Sequence, residues 1–266
     1  MEFGQLVTLL EPYWSNYNQA MQVQRIHSWQ VTPAEAQAIQ RRLASLVSRE
    51  NEVDLPRFVA GVDISLPRIG GMGTGAVVVL DYPRLTVVET KVVEQRVEFP
   101  YVPGLLSFRE APLILAACEK LISTPDLILV DGQGLAHPRR IGLASHIGLL
   151  LNVPTIGCAK SLLCGKHEAV GAEVGSLAEI VDKGEVVGAA LRTKVGSKPL
   201  YISIGHKVDL PSAISWVMKC CRGYKLPEPA RLAHMTASEH LPGANGEAHS
   251  KAAASSRDDF SVRIGN

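Results

Sequence analysis

Residues 58–64, FVAGVDI, are an apolar run with one carboxylate, Asp63, near its end. Residues 126–131, DLILVD, repeat this pattern and end in Asp131. Short apolar runs between polar or turn residues are typical of strands buried in a sheet. A helix between two such strands returns the chain so that they can lie side by side in parallel. The sequence therefore predicts neighbouring strands that bring Asp63 and Asp131 to one edge of a sheet.

Two further strands and the connecting helix are predicted between these runs. Residues 75–80 (GAVVVL) are apolar, and residues 86–99 carry valines at period two. The turn at residues 81–83 (DYP) joins these two strands as a hairpin, and the glycine-rich residues 69–73 connect the first strand to the second. Residues 108–122 have the length and period of a helix.

The second half of the sequence alternates between helices and strands. We expect a helix over about residues 142–151, strands at 154–157, 186–192 and 200–204, and a last long helix over 211–221. Three antiparallel strands followed by helix, strand, helix and strand define an α/β fold with a mixed sheet.

Composition divides the 266 residues into three parts. Residues 1–52 are rich in glutamine and include a helix start at Thr32, where Glu35 completes a capping box, so we interpret them as a partly helical N-terminal extension. Residues 53–240 hold the alternating elements and form the predicted catalytic domain. Residues 241–266 are rich in Gly, Ala and Ser without an apolar period, which predicts a disordered tail.

Composition also limits the class of protein. Hydrophobic residues make up 46% of the chain, enough to bury a core. No apolar stretch approaches the roughly 20 residues that span a bilayer, and no signal peptide is evident, so we expect a cytoplasmic monomer without a membrane partner. The five cysteines form no CxxC pair, which argues against a zinc site or a disulfide framework.

Positive charge is local rather than spread along the chain. The net charge is only +1, but residues 192–231 carry eight Lys or Arg against two acidic residues. Such a segment can follow a phosphate backbone, although Lys and Arg on helix faces often serve only solubility.

Three carboxylates converge in the predicted fold. Glu110 lies near the start of the crossover helix and would join Asp63 and Asp131 at the sheet edge. A single Asp after a strand is more often a turn former than a metal ligand. Several carboxylates at close range, however, repel one another and raise one another's pKa, and a bound divalent cation removes this repulsion. Oxygen ligands favour Mg²⁺ or Mn²⁺ over zinc. The pattern therefore indicates a metal-dependent enzyme that acts on phosphate esters.

Five sequence blocks, in this order, resemble the endonuclease V family. They are residues 100–110 (PYVPGLLSFRE), 130–134 (VDGQG), 137–140 (HPRR), 157–160 (GCAK) and 227–231 (PEPAR). The resemblance covers about residues 57–240. It implies an RNase H-like mixed sheet flanked by helices. It also implies an endonuclease that hydrolyses the second phosphodiester bond 3′ to a deaminated adenine, inosine, in DNA and so initiates DNA repair.

The resemblance implies catalytic roles for five residues. Asp63, Glu110 and Asp131 would bind Mg²⁺, for which Mn²⁺ can substitute. Lys160 would contact the phosphate backbone near the cut. His234 matches a fourth catalytic position that is Asp or His in different members. A lone His on a helix is more often a surface or core residue, so its contact with metal stays open.

The resemblance also implies a binding site for the base. Tyr101 and Pro103 match the family's wedge, a rigid loop that fills the space left by a displaced base. The hypoxanthine pocket would be formed by Gly104, Gly132, Gly157 and Leu163. Glycines there would let the backbone approach a flat base and hydrogen-bond its edge. His137 would support binding or the transition state, and Arg139 and Arg140 would contact phosphates or lie in a solvated loop.

Two alternative functions remain open from the sequence. The first is an inosine-specific endoribonuclease with the same chemistry on RNA, although the loop at residues 163–186 resembles the compact bacterial pattern more than the longer animal insertion. The second is a catalytically silent module that binds a flipped inosine. The presence of all three carboxylates argues against this second alternative.

Overall fold

The computed structural model describes residues 21–66 and 71–240. The strands are β1 (Phe58–Ser65), β2 (Gly71–Asp81), β3 (Thr86–Val97), β4 (Leu127–Val130), β5 (Thr155–Ala159), β6 (Leu177–Asp182), β7 (Glu185–Leu191) and β8 (Leu200–His206). The α-helices in these ranges are α1 (Pro33–Leu43), α2 (Leu106–Cys118), α3 (Leu143–Leu151), α4 (Leu210–Lys219) and α5 (Glu228–Glu239). None of these helices is long and apolar enough to cross a membrane.

The eight strands form one mixed sheet in the order β3-β2-β1-β4-β5-β8-β7-β6. As predicted, β1 pairs antiparallel with β2 and parallel with β4, and β2 and β3 form a hairpin. Val62 lies opposite Val130 in the register of β1 and β4, so Asp63 and Asp131, one residue further on each chain, meet at the same edge. The predicted α/β fold with a mixed sheet is confirmed.

Both faces of the sheet are covered by helices. Val59 and Leu129 belong to the apolar cluster that includes residues of α4 and α5, whereas Ala60 and Val130 belong to the cluster with α2 and α3. Successive side chains of a strand point to opposite faces. Burial on both faces therefore explains why these strands are continuously apolar rather than alternating.

The N-terminal segment packs on the sheet domain in its described part. The capping box is present, because Thr32 Oγ1 accepts from Glu35 N–H at 3.3 Å and Glu35 Oε2 accepts from Thr32 N–H at 2.7 Å. Leu43 on α1 is buried, and Met21 joins the cluster beneath α2 and α3. The domain boundary at residue 53 stays a prediction. The predicted tail and residues 69–70 of the predicted connection lie outside the described residues, whereas residues 71–73 belong to β2 and not to a connection.

Two elements were missed by the sequence analysis. Residues 163–186, interpreted as a loop, contain β6, an edge strand in which only Ile180 is fully buried, so its apolar period is weak. The helix over 211–221 is followed by α5 and is therefore not the last. The buried face of α5 is formed by small residues, Ala230, Ala233 and Ala237. Large apolar side chains at these positions would have given a helical pattern that the sequence analysis could detect.

Close packing of α5 on β1 depends on Gly61. A Cβ placed on Gly61 would lie 1.9 Å from the carbonyl oxygen of Pro229, far inside van der Waals contact. The absence of a side chain at this position lets the start of α5 lie directly on the strand that carries Asp63. This contact fixes how far His234, on the same helix, lies from Asp63.

Gly61→Ala is expected to lower the free energy of unfolding by roughly 1–3 kcal/mol, because the backbone of α5 must move away from β1. Urea unfolding checks this. Gly171→Ala is the matched control, since its new Cβ would meet only the Ser176 side chain. Equal stabilities of the two variants would contradict the proposed close packing.

Candidate active site

Two aspartates and one histidine form the centre of the site. Asp63 lies on β1, Asp131 directly follows β4, and His234 lies on α5. One donor atom from each of the three lies within 4.8 Å of the others. His234 Nδ1 is 2.6 Å from Asp63 Oδ2. Two carboxylates and an imidazole at this spacing can hold a divalent cation.

Each aspartate of this centre has a nitrogen partner. Lys160, at the end of β5, forms an ion pair with Asp131 through Oδ2. On the other side, His234 and Asp63 share a hydrogen bond. The side chains of the two aspartates are nearly buried, whereas Lys160 and His234 remain about half exposed. Lys160 therefore offsets the negative charge of Asp131, and both partners stay accessible to a ligand.

Burial and mutual repulsion shift the acidity of the carboxyl groups. Burial and, next, the charge of Asp131 raise the pKa of Asp63 to about 6, although the hydrogen bond with His234 acts in the opposite direction. Burial raises the pKa of Glu110 on α2 to about 8, and the charges of Asp63 and Asp131 add to this. A cation bound nearby would favour the ionised form of both carboxyl groups and lower their pKa.

The structure brings all three predicted carboxylates to one edge of the sheet. Glu110 is close enough for the two aspartates to raise its pKa, but the trio with mutually close donor atoms contains His234 instead. His234, whose contact with metal the sequence left open, therefore lies at the centre of the site.

A cavity of about 310 Å³ opens beside Asp131. Most of the residues predicted to bind substrate line it, together with two of the predicted catalytic residues. They are Tyr101, Pro103, Gly104, Gly132, His137 and Leu163, with Asp131 and Lys160. Asp131 thus belongs to both the cavity and the acidic centre, and its ion-pair partner Lys160 also lines the cavity.

Gly157, on β5, lies behind the cavity wall rather than on it. A Cβ on Gly157 would come within 2.6 Å of Gly134 N and 2.7 Å of Gly132 O. Its missing side chain lets the loop after β4 rest directly on β5. The structure therefore gives Gly157 a place under the cavity loop, where the sequence had predicted direct contact with the base.

Arg139 and Arg140 are engaged by protein groups and do not lie in a solvated loop. Arg140 pairs with Asp182 at 2.8 Å and with Glu185 at 2.6 Å, on the β6–β7 hairpin. Arg139 Nη2 donates to the carbonyl oxygen of Gly104 at 2.7 Å. Both guanidinium groups are thus held in place by protein groups, and a phosphate contact by either stays a prediction.

Gln40 also lines the cavity and was missed by the sequence analysis. It lies in the segment interpreted as an extension, on the buried face of α1 that Ala36 and Leu43 share. A polar residue at helical spacing between apolar ones was the signal in the sequence.

The mixed sheet with an acidic centre beside a lined cavity has the architecture of an RNase H-like nuclease. The endonuclease V family model matches residues 41–235. Endonuclease V of Dehalococcoides mccartyi is 52% identical over 219 residues, which are 82% of this chain and 98% of that protein. This chain belongs to the endonuclease V family.

Solved structures agree with the family and the fold. The crystal structure of endonuclease V from Streptomyces avermitilis is 40% identical, with a TM-score of 0.77 over 85% of this chain and 100% of that chain. Endonuclease V from Ciona intestinalis is 28% identical, with a TM-score of 0.70 over 79% of this chain and 97% of that chain. The Ciona protein was solved with a 24mer DNA containing an inosine followed by a ribo-adenosine. The predicted RNase H-like fold is confirmed.

Glu110→Gln is expected to change the pH dependence of stability in metal-free buffer. Between pH 4.5 and about 8 folded wild-type protein retains the Glu110 proton that the unfolded chain releases, so its free energy of unfolding falls as the pH rises. The variant lacks this loss, and its melting temperature should exceed that of wild type by roughly 5 °C at pH 8.5.

Melting curves from pH 4.5 to 8.5 in EDTA measure this difference. Glu119→Gln, an exposed change directly after the same helix, should follow the wild-type curve. A Glu110→Gln protein that loses stability with pH as steeply as wild type would contradict the raised pKa.

Proposed function

We propose that this chain is a metal-dependent endonuclease that recognises inosine in DNA and hydrolyses the second phosphodiester bond 3′ to it, which initiates repair. The observation that carries this proposal is that the acidic centre and the cavity share Asp131, whose ion-pair partner Lys160 also lines the cavity. A nucleotide strand whose base enters the cavity would pass its backbone along the carboxylates. The inosine-bound Ciona relative supports this choice of substrate.

The residues present fit a Mg²⁺ site, with Mn²⁺ as a substitute. Asp63 and Asp131 would hold the ion, and Glu110 and His234 stand close enough to complete the site. Asp131 already pairs with the Lys160 ammonium, and this pairing supports the choice of a cation as the ligand of this edge. When bound, the ion supplies an activated water and neutralises charge that develops on the phosphate.

Lys160 and His234 act on the aspartates and on the strand. Lys160 is half exposed beside Asp131, so its ammonium can turn to a phosphate oxygen near the cut once that carboxylate has another cation. His234 is hydrogen-bonded to Asp63 Oδ2 and fixes the orientation of that carboxylate. We assign Lys160 the role of phosphate contact and His234 the role of aligning the metal-binding edge.

The cavity residues would recognise the base. Gly104 and Gly132 present backbone without a side chain, and Leu163 closes the wall. Hypoxanthine carries an O6 acceptor and an N1 donor where adenine has the reverse, so backbone groups matched to one leave the other unpaired. Tyr101 is 71% exposed at the mouth of the cavity. There it and Pro103 can fill the gap that the displaced base leaves in the stack.

The direct test uses labelled DNA and RNA strands that carry one inosine, together with matched adenosine strands. We expect Mg²⁺-dependent cleavage of the inosine DNA at the second bond 3′ to the base, and no cleavage in EDTA. Cleavage of the RNA alone would support the endoribonuclease alternative. Binding of inosine strands with no cleavage under any metal would contradict the proposal.

Asp131→Asn is expected to lower the rate of inosine-DNA cleavage by roughly two orders of magnitude or more, because the site loses one of its two aspartate ligands. Single-turnover cleavage with Mg²⁺ measures this loss, and far-ultraviolet circular dichroism checks folding. Asp54→Asn, a change of an exposed aspartate, is the matched control. Wild-type cleavage by a folded Asp131→Asn protein would exclude this residue from the metal site.

Tyr101→Ala is expected to weaken binding to duplex DNA with one inosine by roughly tenfold, since an aromatic ring no longer fills the stack. Binding to single-stranded inosine DNA should change much less, because no stack is opened there. Fluorescence anisotropy with both substrates measures the difference. Equal losses on duplex and single strand would argue against a wedge.

A further inference from the structure

Gln40 is a fully buried polar side chain in a region that the sequence assigned to an extension. It lies one residue before the part of the chain that the family model matches. Burial of an amide group is unfavourable unless each of its atoms finds a hydrogen-bond partner. The partners of Gln40 therefore show what this side chain does.

The Gln40 amide connects α1 to the loop at the cavity mouth. Its Nε2 donates to the carbonyl oxygen of Gly104 at 3.1 Å, and its Oε1 accepts from Arg139 Nε at 2.5 Å. Arg139 Nη2 donates to the same Gly104 oxygen at 2.7 Å. Gln40, Arg139 and Gly104 thus close a triangle in which each member contacts the other two.

His137 adds a third contact to the Gly104 oxygen. Its Nδ1 accepts from Arg139 N–H at 3.1 Å, which leaves the proton on Nε2, 3.0 Å from the Gly104 oxygen. Burial lowers the pKa of His137 to about 4, so the ring is neutral at physiological pH and keeps this tautomer. Nitrogens from three side chains therefore converge on one carbonyl oxygen.

The position of this carbonyl decides the shape of the wedge loop, residues 101–105. Gly104 has φ +77°, a left-handed conformation that favours glycine. On the inner side, Leu105 N–H donates to Val102 O at 2.9 Å and closes a turn. The Gly104 oxygen and the Leu105 N–H belong to the same peptide group. The three side chains bind this group at its oxygen, and the turn binds it at its N–H. The conformation of the loop is thus set from both sides.

We propose that Gln40 is a positioning residue for base recognition, which acts through Arg139 and the Gly104 carbonyl to hold Tyr101 and Pro103 in their binding geometry. The inference rests on the proposed function, because the loop matters only if the cavity takes a base. It assigns part of the base-binding site to α1, which contributes no group to the acidic centre.

The test compares Gln40→Met with Gln37→Met. Methionine has a similar length and no amide, so the first change removes the contacts with Arg139 and Gly104, together with a longer one from Nε2 to the Ile141 carbonyl oxygen at 3.4 Å. Gln37 lies on the same helix and is half-buried outside the cavity lining. The substrates are a duplex with one inosine and the same duplex without it, and the assays are Mg²⁺-dependent cleavage, anisotropy in EDTA and thermal melting.

We expect Gln40→Met to raise the KM for inosine duplex roughly tenfold while kcat changes less than about twofold. Affinity for undamaged duplex should be unchanged, since phosphate contacts do not depend on the loop. Gln37→Met should match wild type in every assay. A lowered melting temperature with KM unchanged would reduce Gln40 to a structural role and overturn the proposal.

Arg139→Lys keeps the inference testable if Gln40→Met does not fold. Lysine retains the charge but has one ammonium group in place of the separate Nε and Nη2 donors that contact Gln40 and Gly104, so the same rise in KM is expected. Where both variants fold, the double variant should lose no more than either single one, because both act through one carbonyl. Additive losses would contradict the proposal. If wild type leaves inosine strands intact, the proposed function itself fails, and that result is distinct from any difference between variants.

Discussion

The repulsion among Asp63, Asp131 and Glu110 is the constraint on which the rest of this structure depends. Burial and the charges of the two aspartates raise the pKa of Glu110 to about 8, and burial and the charge of Asp131 raise the pKa of Asp63 to about 6. The fold places Lys160 and His234 on the two aspartates. Positive charge at this edge favours the ionised carboxylates, so the edge is suited to a divalent cation. A bound cation would in turn attract a phosphate group.

Close packing of backbone beside the site sets the geometry of that edge. The parallel register of β1 and β4 brings the two aspartates level, and the missing side chain of Gly61 lets α5 approach β1. Gly157 allows the loop after β4 to lie directly on β5. At each glycine the backbones can approach closely because there is no side chain between them. Each of these contacts positions part of the cavity or of the acidic centre.

Local patterns in the sequence predicted most of the fold. The apolar strands that end in aspartate, the hairpin at residues 81–83 and the capping box at Thr32 depend on neighbouring residues, and all are present. Helix α5 and strand β6 escaped prediction, because small alanines form the buried face of α5 and β6 is an exposed edge. Periodicity detects large buried side chains, and these elements have few of them.

The site was predictable as a set of residue types but not as a set of contacts. The family resemblance supplied His234, yet its hydrogen bond to Asp63 spans 171 positions. The hydrogen bonds of Gln40 join it to Gly104, 64 residues further along the sequence, and to Arg139, 99 residues further along. Tertiary packing decides such contacts, and one sequence does not contain that information in its local patterns.

The central claim is that the shared edge of Asp63 and Asp131 is a divalent cation site. Anomalous diffraction from crystals soaked in Mn²⁺ tests it most directly. We expect an anomalous peak at the carboxylates of Asp63 and Asp131, with the Lys160 ammonium moved away from Asp131. An intact ion pair between Lys160 and Asp131, without anomalous density at that edge in protein that is active with Mn²⁺, would contradict this account.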